Sequence, residues 1–152
     1  MKTKSAAKVV AWLALTMLAG GFVAGLKAGL TYNTFPLMDG RLVPAGYADL
    51  HPFLRNLTEN IAAVQFDHRL LAALTLLAVL ATVAWGARRA RPPVRFALLA
   101  LGGAVAVQFT LGVATLLAVV AVTLATAHQV MAVLVLTAAL VTLHTIGPER
   151  PT

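Results

Sequence analysis

His68 lies in the stretch Val64-Gln65-Phe66-Asp67-His68-Arg69, at the head of an apolar run from Leu70 to Ala87 that holds no charge. His128 lies in a later uncharged run, between Ala127 and Gln129. Ionisable groups at membrane depth are costly, and a functional reading is the default for them. Two neutral imidazoles can hold one iron atom from opposite sides. Each histidine also has a plainer reading. His128 can hydrogen-bond to a neighbouring helix, and His68 can sit beside an interfacial Asp67–Arg69 ion pair.

The elements that position these residues are membrane helices. The 152-residue chain is 60% hydrophobic and 11% charged, with a mean hydropathy of +0.86. A soluble domain is about 45–50% apolar and about 25% charged. The chain therefore reads as an integral membrane protein with little soluble mass. Its net charge of +7 does not indicate nucleic acid, because the basic residues stand in short loops beside apolar spans, where they set topology. There is no cysteine, which excludes disulfides, thiolate catalysis and cysteine metal sites. The first apolar run is too long, and too poorly followed by a cleavage-like site, for a signal peptide.

The first span is expected over residues 6–26. Gly21, Gly25 and Gly29, each four apart, read as a small-residue face for helix packing. Residues 27–58 carry the turn signals Asn33, Pro36, Asp39-Gly40, Pro44 and Gly46, yet Tyr32, Phe35, Leu37, Met38 and Tyr47 make them too apolar for a free linker. They are expected to fold back as a cap, with a short interfacial helix over 50–57. The second span is expected over 59–87, with Thr58 or Asn60 as N-cap and Glu59 at the positive helix end. Pro92 and Pro93 are read as stopping it. Phe96 to Pro148 is 53 positions without charge. One helix of that length would run about 80 Å against a hydrocarbon layer of about 30 Å, so two spans are required. They are expected over 95–118 and 124–146, turning near 119–123 where β-branched residues weaken the helix. The fold class is all-α: an integral membrane four-helix bundle, one domain over 1–152.

The positive-inside rule puts both termini and the loop of Arg88, Arg89, Arg91 and Arg95 on the cytoplasmic side, and the cap on the other. His68 then lies about 13 Å below the outer start of its span, and His128 about 6–10 Å below the start of the fourth. The two fall at matching depth on helices running the same way. That is the arrangement a helical bundle uses to hold a heme between facing side chains. Ala72 and Ala132, each four residues beyond a histidine, leave room for a flat ring, and Arg69 can meet an anionic propionate. Arg55 and Arg41 in the cap are weaker candidates, and His51 reads as a loop residue. His144, about 24 Å further along the fourth span, reads as structural or solvated, and Gln108 as an interhelical hydrogen bond. The packed readings of His68 and His128 remain open at this point.

Four ordered motifs carry a resemblance. They are Gly21-Phe22-Val23-Ala24-Gly25-Leu26-Lys27-Ala28-Gly29-Leu30, Tyr32-Asn33-Thr34-Phe35-Pro36-Leu37-Met38, Val64-Gln65-Phe66-Asp67-His68-Arg69 and Ala127-His128-Gln129. Together they resemble heme A synthase of the proteobacterial and mitochondrial type, and specifically its carboxy-terminal half. The resemblance implies an oxidoreductase of the bacterial inner membrane that converts heme O to heme A for cytochrome c oxidase assembly. It implies eight helices in two similar halves, of which this chain matches the half holding heme b through His68 and His128. The other half carries a glutamate three residues before its first ligand histidine, and here that position is Gln65. A chain of this kind is expected to need a partner half or a second copy, and a heme O synthase is a candidate partner. The rival expectation is an electron-transfer or heme-carrier protein without catalysis of its own.

Overall fold

The computed structural model describes residues 3–147. Four long helices dominate: α1 (Thr3–Gly25), α3 (Ile61–Ala87), α4 (Pro92–Leu117) and α5 (Val122–Ile146). Each is long and apolar enough to cross a membrane, and no strand forms among the described residues. The protein is an all-helical, multi-pass membrane bundle.

A short helix, α2 (Asn56–Glu59), precedes α3. The second span therefore does not open at residue 59. The chain is extended at Asn60, whose side-chain oxygen accepts from the backbone N–H groups of Ala62 and Ala63, so Asn60 is the N-cap. Its amide also donates to Gly46 O at 2.6 Å and to Asn56 Oδ1 at 2.8 Å. Asn56 is fully buried and donates to Leu50 O and Phe53 O while its oxygen accepts from Leu50 N. One asparagine pair thus ties the cap to the start of the helix that carries His68. Within the cap, Met38 and Arg41 exchange backbone hydrogen bonds around the turn Asp39-Gly40, and Met38 is buried beneath it.

The prolines have the opposite role from the one expected. α3 ends at Ala87, and Pro92-Pro93 opens α4 instead of stopping α3. Proline suits a first helical turn because its missing N–H would have no partner there. α4 and α5 are joined through Ala118–Ala121 with Val119 and Val120 at φ 50° and 58°. Two successive β-branched residues in the left-handed region are strained. They are held by Val120 N donating to Thr115 O and by the Val120 side chain lying over Gly29, where an added Cβ would meet it at 3.0 Å. Asn33 closes the same corner, donating to Gly29 O at 2.7 Å and Leu116 O at 3.0 Å.

α1 packs on α3 and α5, and α4 packs on α3 and α5. The cross-section is therefore a ring, with α3 and α5 on one diagonal. The apolar core is formed by Leu13, Val79, Val83, Val94, Leu98, Leu101, Val105, Val135 and Ala139. These residues lie in the half of the bundle away from the cap.

Candidate functional site

The half under the cap is built differently. His68 is seven residues into α3 from Ile61, and His128 six residues into α5 from Val122. At 1.5 Å per residue that is about 10 Å and about 9 Å. Because α3 and α5 both start at the capped end and stand diagonally, the two imidazoles occupy the same level of the bundle.

Each ring lies on a glycine of an adjacent helix. A Cβ on Gly20 of α1 would stand 2.9 Å from His68 Cε1, and one on Gly112 of α4 would stand 2.8 Å from His128 Cε1. The pattern repeats between the two helix pairs. Thr16, one turn before Gly20, presents its backbone oxygen 3.2 Å from His68 Nδ1. Gln108, one turn before Gly112, places its side-chain Nε2 3.5 Å from His128 Nε2, at the limit of a hydrogen bond. If His68 Nδ1–H donates to Thr16 O, that bond fixes the tautomer with Nε2 as the lone-pair donor, the arrangement common among metal-ligating histidines.

The polar residues around this level are not fully satisfied. Gln65 is 2% exposed and donates to Tyr32 O at 3.1 Å. Arg69 donates from Nη1 to Thr34 O at 2.8 Å and from Nη2 to Tyr32 O at 2.6 Å. Gln65 Oε1, Arg69 Nε, Gln108 Oε1 and His128 Nδ1 are buried without a hydrogen-bond partner among the described residues. Burying such an atom unpaired costs about 1–3 kcal/mol, and all four belong to the half of the bundle under the cap.

Asp67 does not pair with Arg69, as the sequence suggested. It accepts from the Tyr47 hydroxyl at 2.8 Å, and Tyr47 packs edge-on against Phe66 at 5.3 Å. Arg69 spends its amines on the cap carbonyls instead. Burial, and then the hydrogen bond to Asp67 and its charge, hold the Tyr47 phenol above its ordinary value. Arg55 is bound to Glu59 at 2.7 Å on the surface, Arg41 and His51 are exposed in the cap, and His144 is exposed in the last turn of α5. None of these four approaches the histidine level. Ala72 and Ala132 are half-buried, and the close approach to each ring comes from Gly20 and Gly112.

Those two glycines, with Thr16 and Tyr47, are what sequence reasoning missed. The expected packing face of Gly21, Gly25 and Gly29 does not exist as one face: an added Cβ at Gly21 or Gly25 meets nothing within 4 Å. A usable signal was present in the spacing. Gly20 and Gly112 each follow a polar residue by four, and each precedes the end of its helix by five.

Residues 3–140 match the family model of the COX15-CtaA cytochrome oxidase assembly protein. The chain is 61% identical over 132 residues to the heme A synthase of Granulibacter bethesdensis, an alignment covering 87% of this chain and 34% of that protein. It is 51% identical over 129 residues to the heme A synthase of Nitrosospira multiformis, covering 83% and 36%. It is 44% identical over 139 residues to heme A synthase COX15 of Arabidopsis thaliana, covering 90% and 30%. The chain thus spans about a third of the length of these relatives. No solved structure matches it significantly.

Proposed function

The chain belongs to the COX15-CtaA family of cytochrome oxidase assembly proteins, and from that premise we propose that it is the heme b-holding four-helix unit of a heme A synthase. His68 and His128 would hold the iron, and Arg69 would meet a heme carboxylate through its buried Nε, which has no partner among the described residues. The observation that carries this reading is the diagonal imidazole pair at one depth, each ring seated on a glycine, amid the orphaned buried polar atoms.

When bound, heme b supplies one-electron exchange. The protein supplies the rest. Thr16 O holds the His68 ring and its tautomer. Gly20 and Gly112 let the helix backbones approach each imidazole. Gln65 and Arg69 tie Tyr32 and Thr34 to α3, and Asn33 ties the same segment to the end of α4. Gln65 cannot take up or release a proton at working pH, and Asp67 is occupied by Tyr47. In the overall reaction, a ring methyl of heme O is oxidised to the formyl of heme A, with an oxygen donor and an electron acceptor from outside this chain completing the balance. The proton-managing carboxylate comes from a partner half or a second copy, and a heme O synthase supplies the substrate. The setting is the bacterial inner membrane with the cap outside and the Arg88–Arg91 turn inside. A reporter fused after Gly40 is then active only outside, and one after Ala90 only inside.

The absence of an acid at residue 65 favours a second reading, in which the unit carries electrons or heme without oxidising a methyl. Two measurements separate the cases. Purified protein should show the sharp reduced spectrum of a bis-histidine heme, and a featureless spectrum removes both heme readings. Expressed alone in a host making heme O, the chain should yield heme b and little heme A on chromatography. Substantial heme A would mean that Asp67 or a cap residue acts as the acid.

A further inference from the structure

A shallow, open concave surface lies at the end of the molecule away from the histidines, on the outward side of α3. Ala81, Ala84, Trp85, Arg88 and Arg89 line it. They fall at i, i+3, i+4, i+7 and i+8, one face of a helix, and all five are exposed. The opposite side of the same turns is the packed one: an added Cβ at Gly86 would meet Leu98 at 3.1 Å, and one at Gly102 would meet Val83 at 3.3 Å. The concave face is therefore turned away from the rest of the bundle. Its floor is the two alanines, its wall is Trp85, and its end is cationic. The Arg89 guanidinium stands 4.5 Å over the Trp85 ring. Arg91, by contrast, reaches away to donate to Thr145 O at 3.1 Å. No carboxylate stands between Asp67 and Glu149 in the sequence, and Glu149 is outside the described residues, so no acid among the described residues at this end neutralises Arg88 and Arg89.

We infer that this groove binds an anionic phospholipid. Arg88 and Arg89 take the phosphate, for which guanidinium geometry is suited. One acyl chain follows the Ala81–Ala84 floor alongside Trp85, whose ring belongs at the headgroup boundary. A topology signal needs only the charges. It does not need small residues one and two turns deeper in the span on the same face, or a tryptophan bracing one of the arginines.

The chain has two tryptophans, so Trp12→Phe leaves Trp85 as the only indole. In that background the full-length protein is reconstituted into vesicles of phosphatidylcholine containing either brominated phosphatidylglycerol or brominated phosphatidylcholine. Half-quenching of Trp85 should need about fivefold less of the anionic lipid, the selectivity expected when one or two arginines meet a phosphate whose charge no choline cation offsets. Arg88→Gln with Arg89→Gln, which leaves Arg91 and Arg95 to hold topology, should erase the difference. Ala84→Leu, which fills the floor and keeps every charge, should reduce it. Equal quenching by the two lipids overturns the proposal, as does a preference that survives the double glutamine variant or is unaffected by Ala84→Leu. Inorganic phosphate should not abolish the preference. If it does, the arginines read a free phosphate and the lipid assignment fails.

Discussion

The two halves of this bundle use the same device on different partners. Away from the cap, Gly86 and Gly102 admit Leu98 and Val83, and the result is a sealed aliphatic core. Under the cap, Gly20 and Gly112 admit two imidazoles, and the result is a level with four unpaired buried polar atoms. One half closes on itself by dispersion and shape, as membrane helices must where lipid is as apolar as leucine. The other half leaves stability unclaimed, and strained backbone at Val119 and Val120 sits at its rim. Unsatisfied groups and strain gathered at one end of an otherwise well-packed bundle are the expected mark of a site completed by a ligand.

If that contrast is right, the largest effect comes from removing a histidine. His68→Ala or His128→Ala should abolish the bis-histidine spectrum of the purified protein, while His144→Ala leaves it unchanged. Dependence on His144 with indifference to His128 would break the pairing. The converse operation is Leu98→Ala. It should lower the unfolding free energy by about 2–4 kcal/mol through the cavity it leaves, yet preserve the position of the absorption bands in the folded fraction. A shifted spectrum in Leu98→Ala would mean that the halves are not separable.

Much of this division was legible in the sequence. Uncharged runs gave the four spans, and helix rise from the start of each span gave the shared depth of His68 and His128. What was not legible depended on rotation about the helix axis. A four-residue spacing does not say which face points inward: it singles out Gly21 and Gly25, whereas Gly20 is the residue in contact. The helix ends were shifted by local hydrogen bonds that composition conceals, such as Asn60 capping α3 while bound to Asn56. Adjacency along the chain favours Arg69 as the partner of Asp67, whereas the fold brings Tyr47 from twenty residues earlier.

A smaller perturbation addresses the glycine contacts directly. Gly20→Ala and Gly112→Ala each place a methyl under 3 Å from an imidazole carbon. Either the ring tilts or the helix moves, at about 1–3 kcal/mol, and the reduced spectrum should broaden or gain a high-spin component. Gly21→Ala and Gly103→Ala, where an added Cβ meets nothing within 4 Å, provide matched controls. They should leave the spectrum alone and gain up to about 1 kcal/mol of helix propensity. Equal behaviour of Gly20→Ala and Gly21→Ala would mean that ring seating on the glycine is incidental.

The smallest effect is expected at the rim, where Tyr47 donates to Asp67 one residue from His68. Losing this half-buried bond in Tyr47→Phe should cost about 1 kcal/mol and loosen the cap without moving the absorption bands. A band shift in Asp67→Asn would instead implicate the carboxylate in the iron's surroundings. The pH dependence has a definite sign. The phenol is neutral when protonated, and its folded value lies above the ordinary 10.0. Its contribution is thus complete below about pH 10 and is lost as pH rises through the higher folded value. The chain has two tyrosines, so Tyr32→Phe isolates the Tyr47 phenolate signal in an ultraviolet titration. Burial is the largest cause of the shift, ahead of the hydrogen bond and charge of Asp67. Asp67→Asn should therefore return the titration only part of the way to its ordinary range. A complete return would mean that Asp67, and not the covering of Tyr47 by the cap and Phe66, governs this corner of the site.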